Sequence, residues 1–160
     1  MKTESIVKIR KELQFQSREE LLELCLRLAK YKTENKALLT YLLFESHNED
    51  AYINAVKENL EEIFISMNTD SYHYMKKTIR KILRQIRTFS KYSNKIETEV
   101  ELLLFFCDQL NELEPSIHKN TTLRNLYERQ IVALEKKIEV LHEDLQYEYV
   151  TQIQLLKNFY

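Results

Sequence analysis

Hydrophobic residues recur along this chain at steps of three and four, the period of an α-helix, from its first segment to its last. Ile6, Ile9 and Leu13 share one side of a short amphipathic helix over 4–14. Ser17, with Glu20 three residues later, has the spacing of a capping box and starts a helix over 18–31. Its stripe of Leu21, Leu24, Cys25 and Leu28 is widened by Leu22 and Leu26, which predicts a central, buried helix. Thr33 is the expected cap of a helix over 34–47 that buries Leu38, Leu39, Leu42 and Leu43, with Tyr41 and Phe44 flanking. Asn48 opens the next helix, 49–66, where Glu49 and Asp50 favour the positive end of the helix dipole. Its apolar set is Tyr52, Ile53, Val56, Leu60, Ile63, Phe64 and Met67.

The cluster Asn68-Thr69-Asp70-Ser71 is a break rich in capping residues. After it, Met75, Ile79, Ile82, Ile86 and Phe89 draw a helical seam over 72–92. A helix over 96–113 follows, and its run from Leu102 to Cys107 is apolar all round, the mark of burial on every side. Pro115 and the polar stretch to Thr122 form the expected internal boundary. Beyond it the seam Tyr127, Ile131, Leu134, Ile138, Leu141, Leu145, Tyr149, Ile153, Leu156 and Tyr160 predicts a single helix over 121–158, with a stutter near Tyr149.

Composition narrows the fold class. The 160 residues contain no glycine and one proline. Tight hairpins and phosphate-cradling loops depend on glycine for positive φ or close backbone approach. The chain is therefore expected to be all-α: an antiparallel multi-helix bundle or short helical solenoid over 1–114, about six helices, followed by a long amphipathic helix within 115–160. A straight helix of that length would measure about 57 Å, against a diameter of about 40 Å for a compact domain of this size. The overhang points to association. Leu134, Ile138, Leu141, Leu145, Ile153 and Leu156 are the candidate association seam, coiled-coil-like, with a protein partner or a second copy forming a homodimer. Folding back onto the bundle is the competing outcome.

Net charge is −1, so no global field draws the chain to nucleic acid or anionic membrane. Locally the picture differs. No acidic residue lies between Ser71 and Ile96, and Lys77, Arg80, Arg84, Arg87 and Lys91 fall on one helix face opposite the seam. That stripe is a candidate anion or acidic-partner face, with nucleic acid as the alternative partner and Tyr72, Tyr74 and Tyr92 beside it for stacking. The bland reading is a face paired with acids of neighbouring helices, such as Glu19, Glu20 and Glu23 or Glu58, Glu61 and Glu62.

Catalytic machinery is not evident. Glu139-Val140-Leu141-His142 matches half of a di-iron carboxylate motif, but Asp70-x-x-His73 is a poor second half, so no metal site is expected. No cofactor, catalytic residue or enzymatic activity is expected. Cys25 and Cys107 sit in apolar helical runs and are expected to be buried, reduced thiols. The amino-terminal segment lacks the apolar stretch of a signal peptide, and no window approaches the ~20 apolar residues of a membrane span. A cytoplasmic location without membrane contact is the expectation.

The segment SREELLELCLRLAKYKTENKALLTYLLFE, residues 17–45, resembles the opening of a family of small bacterial helical proteins of unknown function. The resemblance is carried by helix-packing leucines and implies a bacterial, all-helical protein with no activity to carry over. Its first part, SREELLELCLRL, also faintly resembles the SAP domain, a DNA-binding module. That module turns through a glycine-containing link, where this chain has Tyr31-Lys32-Thr33-Glu34. The overall expectation is a non-enzymatic protein-interaction or scaffolding module acting through its C-terminal helix.

Overall fold

The computed structural model describes residues 2–158, and within them the protein is all-α, with no strand. Tyr160, the last expected seam position, and Phe159 lie outside the described residues. The chain divides into two compact units, Met1–Phe44 and Glu45–Tyr160, earlier than the boundary expected at Pro115.

The first unit contains α1 (Ile6–Leu13), α2 (Arg18–Tyr31) and α3 (Thr33–Thr40), and the chain then winds into a π-helical turn, Tyr41–Glu45, that carries the buried Tyr41. The capping box forms as expected: the Ser17 hydroxyl accepts from the Glu20 amide at 3.2 Å, and the Glu20 carboxylate accepts from the Ser17 amide at 2.7 Å. These bonds hold the Glu20 carboxyl below the usual carboxylate range. Thr33 is not the cap of α3; it is the first helical residue, after an extended Lys32 that supplies no side-chain bond. Asn35 fastens α3 to α2 by donating to the Leu28 carbonyl at 2.8 Å.

Burial in this unit departs from expectation. Neither α1, α2 nor α3 buries a single residue, although α2 was expected to be central. The reason is partnership. α2 packs along α3, and two short helices cannot cover an apolar arc as wide as the one α2 carries.

The second unit contains α4 (Glu49–Ile65), α5 (Tyr72–Ser93), α6 (Ile96–Asn111), α7 (Thr121–Ile138) and α8 (Glu143–Lys157). α6 is the centre, with α4, α5, α7 and α8 all packed on it, as its all-round apolar run predicts. Leu102, Phe106 and Cys107 are fully buried there, and Phe64 of α4 meets Phe106 with ring centroids 6.1 Å apart. Asn48 caps α4 and Ser71 caps α5 through their side chains. α5 buries Met75, Ile79, Ile82 and Ile86 completely, while Phe89 ends the seam half-buried. α5 stops at Asn94, whose φ of 55° is the left-handed C-terminal geometry that glycine usually supplies. Asparagine also tolerates it, which is how a chain without glycine makes this turn.

One carboxylate ties the α5–α6 junction to the start of α4. Glu49 accepts from the hydroxyls of Ser93 and Thr98, and Lys95 reaches its other oxygen at 3.0 Å.

The expected single helix over 121–158 is two helices. α7 ends at Ile138, and His142 caps α8, its Nδ1 accepting from the Asp144 amide at 3.4 Å. Glu143 and Asp144 then stand in the first turn of α8, where acids suit the dipole. The break falls about two turns before Tyr149, the position of the stutter. Tyr127, early in α7, bonds to Leu156, late in α8, so the chain reverses direction and folds back.

Candidate interaction surfaces

The fold-back decides the first candidate. Leu134, Ile138, Leu141, Ile153 and Leu156 are buried inside the second unit, and Leu145 is half-buried. The seam that invited a partner helix is satisfied by the chain's own α6, α7 and α8. It is not a free surface, which corrects the expectation of a projecting coiled-coil helix.

The second candidate is the outer face of α5. Lys77, Arg80, Arg84, Arg87 and Lys91 are all exposed, opposite the buried seam, as their spacing predicts. Lys81, outside the stripe that the spacing draws, is exposed too and lies at the edge of the same face. Of the nearby tyrosines, Tyr74 presents its ring to solvent, in edge contact with His73. Tyr72 donates to the Ser116 carbonyl at 2.9 Å, and Tyr92 packs edge-on to Phe89. Among the described residues none of these six cations forms an ion pair. Elsewhere in the unit several lysines do pair, among them Lys57 with Glu101 at 2.7 Å, Lys137 with Glu99 at 2.8 Å, and Lys157 with Glu135.

The third candidate was hidden by the expectation of burial. Leu22, Leu24, Leu26 and Leu28 of α2 are between 40% and 61% exposed. Leu38, Leu42, Leu43 and Phe44 are exposed as well, and so are Ile6, Val7, Ile9, Leu13 and Phe15 around α1. Between α2 and α3 runs an apolar groove of about 270 Å³, lined by Cys25, Leu28, Ala29, Leu38, Leu39 and Leu42. Cys25, expected to be buried, is exposed in this groove, whereas Cys107 is buried as expected. The sequence signal was present in the apolar arc of α2, wider than a helix needs to pack against one neighbour.

A further depression, of about 650 Å³, is different in character. Glu49, Glu101, Lys57, Lys95 and Tyr149 are among its lining residues, and these five are engaged in pairs with one another, Lys57 and Tyr149 with Glu101 and Lys95 with Glu49. Tyr149 donates to Glu101 at 2.9 Å; burial, then that carboxylate, pushes its phenol well above the ordinary range. A neutral phenol and a lysine sharing one carboxylate stitch α8 and α4 to α6. Glu139 and His142 of the half-motif flank the α7–α8 break, and no group of three or more His, Cys, Asp or Glu side chains among the described residues is placed to hold a metal ion. No described helix is long and apolar enough to cross a membrane.

No family model, no curated protein and no solved structure matches this chain.

Proposed function

We propose that the chain is a protein-interaction module whose first unit docks a partner in the groove between α2 and α3. One observation carries this reading: none of the three helices has a buried residue, and all their leucines except Leu21 and Leu39 stand open to water. Contiguous apolar surface beyond a few hundred Å² is uncommon on a free protein and marks a place of contact. A groove walled by Leu28, Leu38 and Leu42 suits an amphipathic helix laying side chains at helical spacing into it. The C-terminal seam is not part of this reading, because its residues are interior.

Cys25 offers a direct test. A photoreactive group attached to Cys25 in the intact chain should cross-link to a partner protein, or to a second copy, in cells. Leu28→Glu with Leu42→Glu should abolish those cross-links while circular dichroism stays unchanged. Cross-links confined to residues 45–158 of the same molecule would overturn the proposal, since the groove would then be covered from within.

A further inference from the structure

The cations of α5 ask for a different kind of ligand from the leucines of α2. Lys77, Arg80, Arg84, Arg87 and Lys91 follow one line along the helix, with Lys81 beside it, and every turn presents at least one of them. At 1.5 Å per residue the line extends about 21 Å in steps of about 5 Å. The segment from Tyr72 to Ile96 contains no acid to neutralise it. The flanking helices do carry acids, including Asp50, Glu58, Glu61 and Glu62 on α4 and Glu97 and Glu99 on α6. None of them reaches ion-pair distance of the six α5 cations; Glu99 instead holds Lys137. Beyond the end of the row, Arg87, Lys91 and Lys95 line a depression of about 360 Å³ together with Ser90, Ile96 and Glu99, whose carboxylate is already held by Lys137.

What the face lacks selects among anionic partners. Interfaces between folded proteins have an apolar centre inside a polar rim. Between Lys77 and Lys91 the exposed positions of α5 are all Lys or Arg. Amphipathic helices bind membranes by inserting their apolar side, and here that side, Met75, Ile79, Ile82 and Ile86, is fully buried in the core. A regularly charged polyanion needs neither an apolar centre nor insertion. Three of the six groups are arginines, whose forked guanidinium suits phosphate oxygens. A helix 10–12 Å across also fits a DNA major groove about 12 Å wide.

We propose that the outer face of α5, from Lys77 to Lys91, binds the phosphate backbone of nucleic acid without reading its sequence. Binding releases counterions, so affinity should fall steeply with salt, with a log–log slope of about −0.9 per phosphate neutralised on a duplex.

The test is fluorescence anisotropy with the full chain and labelled 20-base-pair DNA of two unrelated sequences, plus a single strand and a duplex RNA. Expected are equal affinities for the two DNA sequences and a slope that shrinks by about 3 in Arg80→Gln/Arg84→Gln/Arg87→Gln. The control triple, Lys36→Gln/Lys119→Gln/Lys136→Gln, removes the same charge elsewhere and should leave binding unchanged. The single strand and duplex RNA decide which form the face accepts, and binding to at least one probe is required. Three results would overturn the proposal: no binding to any probe at low salt, equal losses in the two triple variants, or stronger binding to vesicles rich in anionic lipid or to polyglutamate than to every nucleic acid.

Discussion

The Tyr127 hydroxyl donates to the Leu156 carbonyl at 2.9 Å and accepts from the Asn111 side-chain amide at 2.8 Å. One fully buried phenol thus joins α7 to the last turn of α8 and to the end of α6. A helix leaves its last carbonyls without intrahelical partners, so the bond to Leu156 meets a standing need. Tyr127→Phe keeps the ring and removes the hydroxyl. It should cost about 1–3 kcal/mol in urea unfolding with the helical content unchanged. An unaltered midpoint would show that the fold-back does not depend on this bond.

The helical architecture was legible because it rests on local signals. Periodicity, the Ser17–Glu20 box and the Asn48 and Ser71 caps each act within a turn or two, and each fell where the residues put it. The all-round apolar run of α6 likewise announced the centre of the second unit. Burial in the first unit was not legible. An apolar stripe states that a helix wants cover, not that its own chain supplies it, and α2 carries the same signal as a core helix. The α7–α8 break was missed for a related reason. The seam keeps its three- and four-residue steps from Ile138 through Leu141, inside the turn, to Leu145 in α8, so periodicity masks it. The countersignal was Glu143-Asp144 directly after His142, a helix start inside an apparent helix.

The two thiols should separate cleanly by reactivity. Cys25 is exposed, whereas burial, with a smaller contribution from Asp108, pushes the Cys107 thiol up to about 12. Thiolate is the reactive form, and access is also required. In native protein near neutral pH a maleimide should modify Cys25 alone, read by intact mass, with a second addition appearing only in denaturant. Rapid double labelling of folded protein would contradict the buried placement of Cys107.

His118 sets a pH dependence. Burial first, then the Arg124 charge, holds its imidazole below the ordinary value of 6.5. Nε2 lies 2.9 Å from Asn111 Oδ1, and the ring meets Tyr127 edge-on. The unfolded chain therefore binds a proton at higher pH than the folded one. Its contribution to stability is complete above about pH 6.5 and declines as pH falls toward the lowered folded value. Urea midpoints measured from pH 7.5 down to 5 should fall, and His118→Gln should flatten that part of the profile. An identical profile in the variant would assign the dependence to other groups.

The interior placement of the C-terminal seam makes its own prediction. Leu134 is fully buried, so Leu134→Ala should destabilise the second unit by about 2–5 kcal/mol, as a cavity in a packed core does. Leu141→Glu with Leu145→Glu should lower thermal stability whatever partner is present. Full stability combined with loss of a partner would instead restore the seam as a docking surface.

A protein melts as one body only when its parts share a core. The helices of residues 6–40 bury nothing, whereas those beyond Glu49 close around α6. Calorimetry on the free chain should therefore show a broad, nearly heatless loss of helix from the first unit and a separate sharp endotherm from the second. Two such transitions would mean that no single Tm or unfolding free energy describes the molecule, because the two-state assumption behind those quantities would not hold.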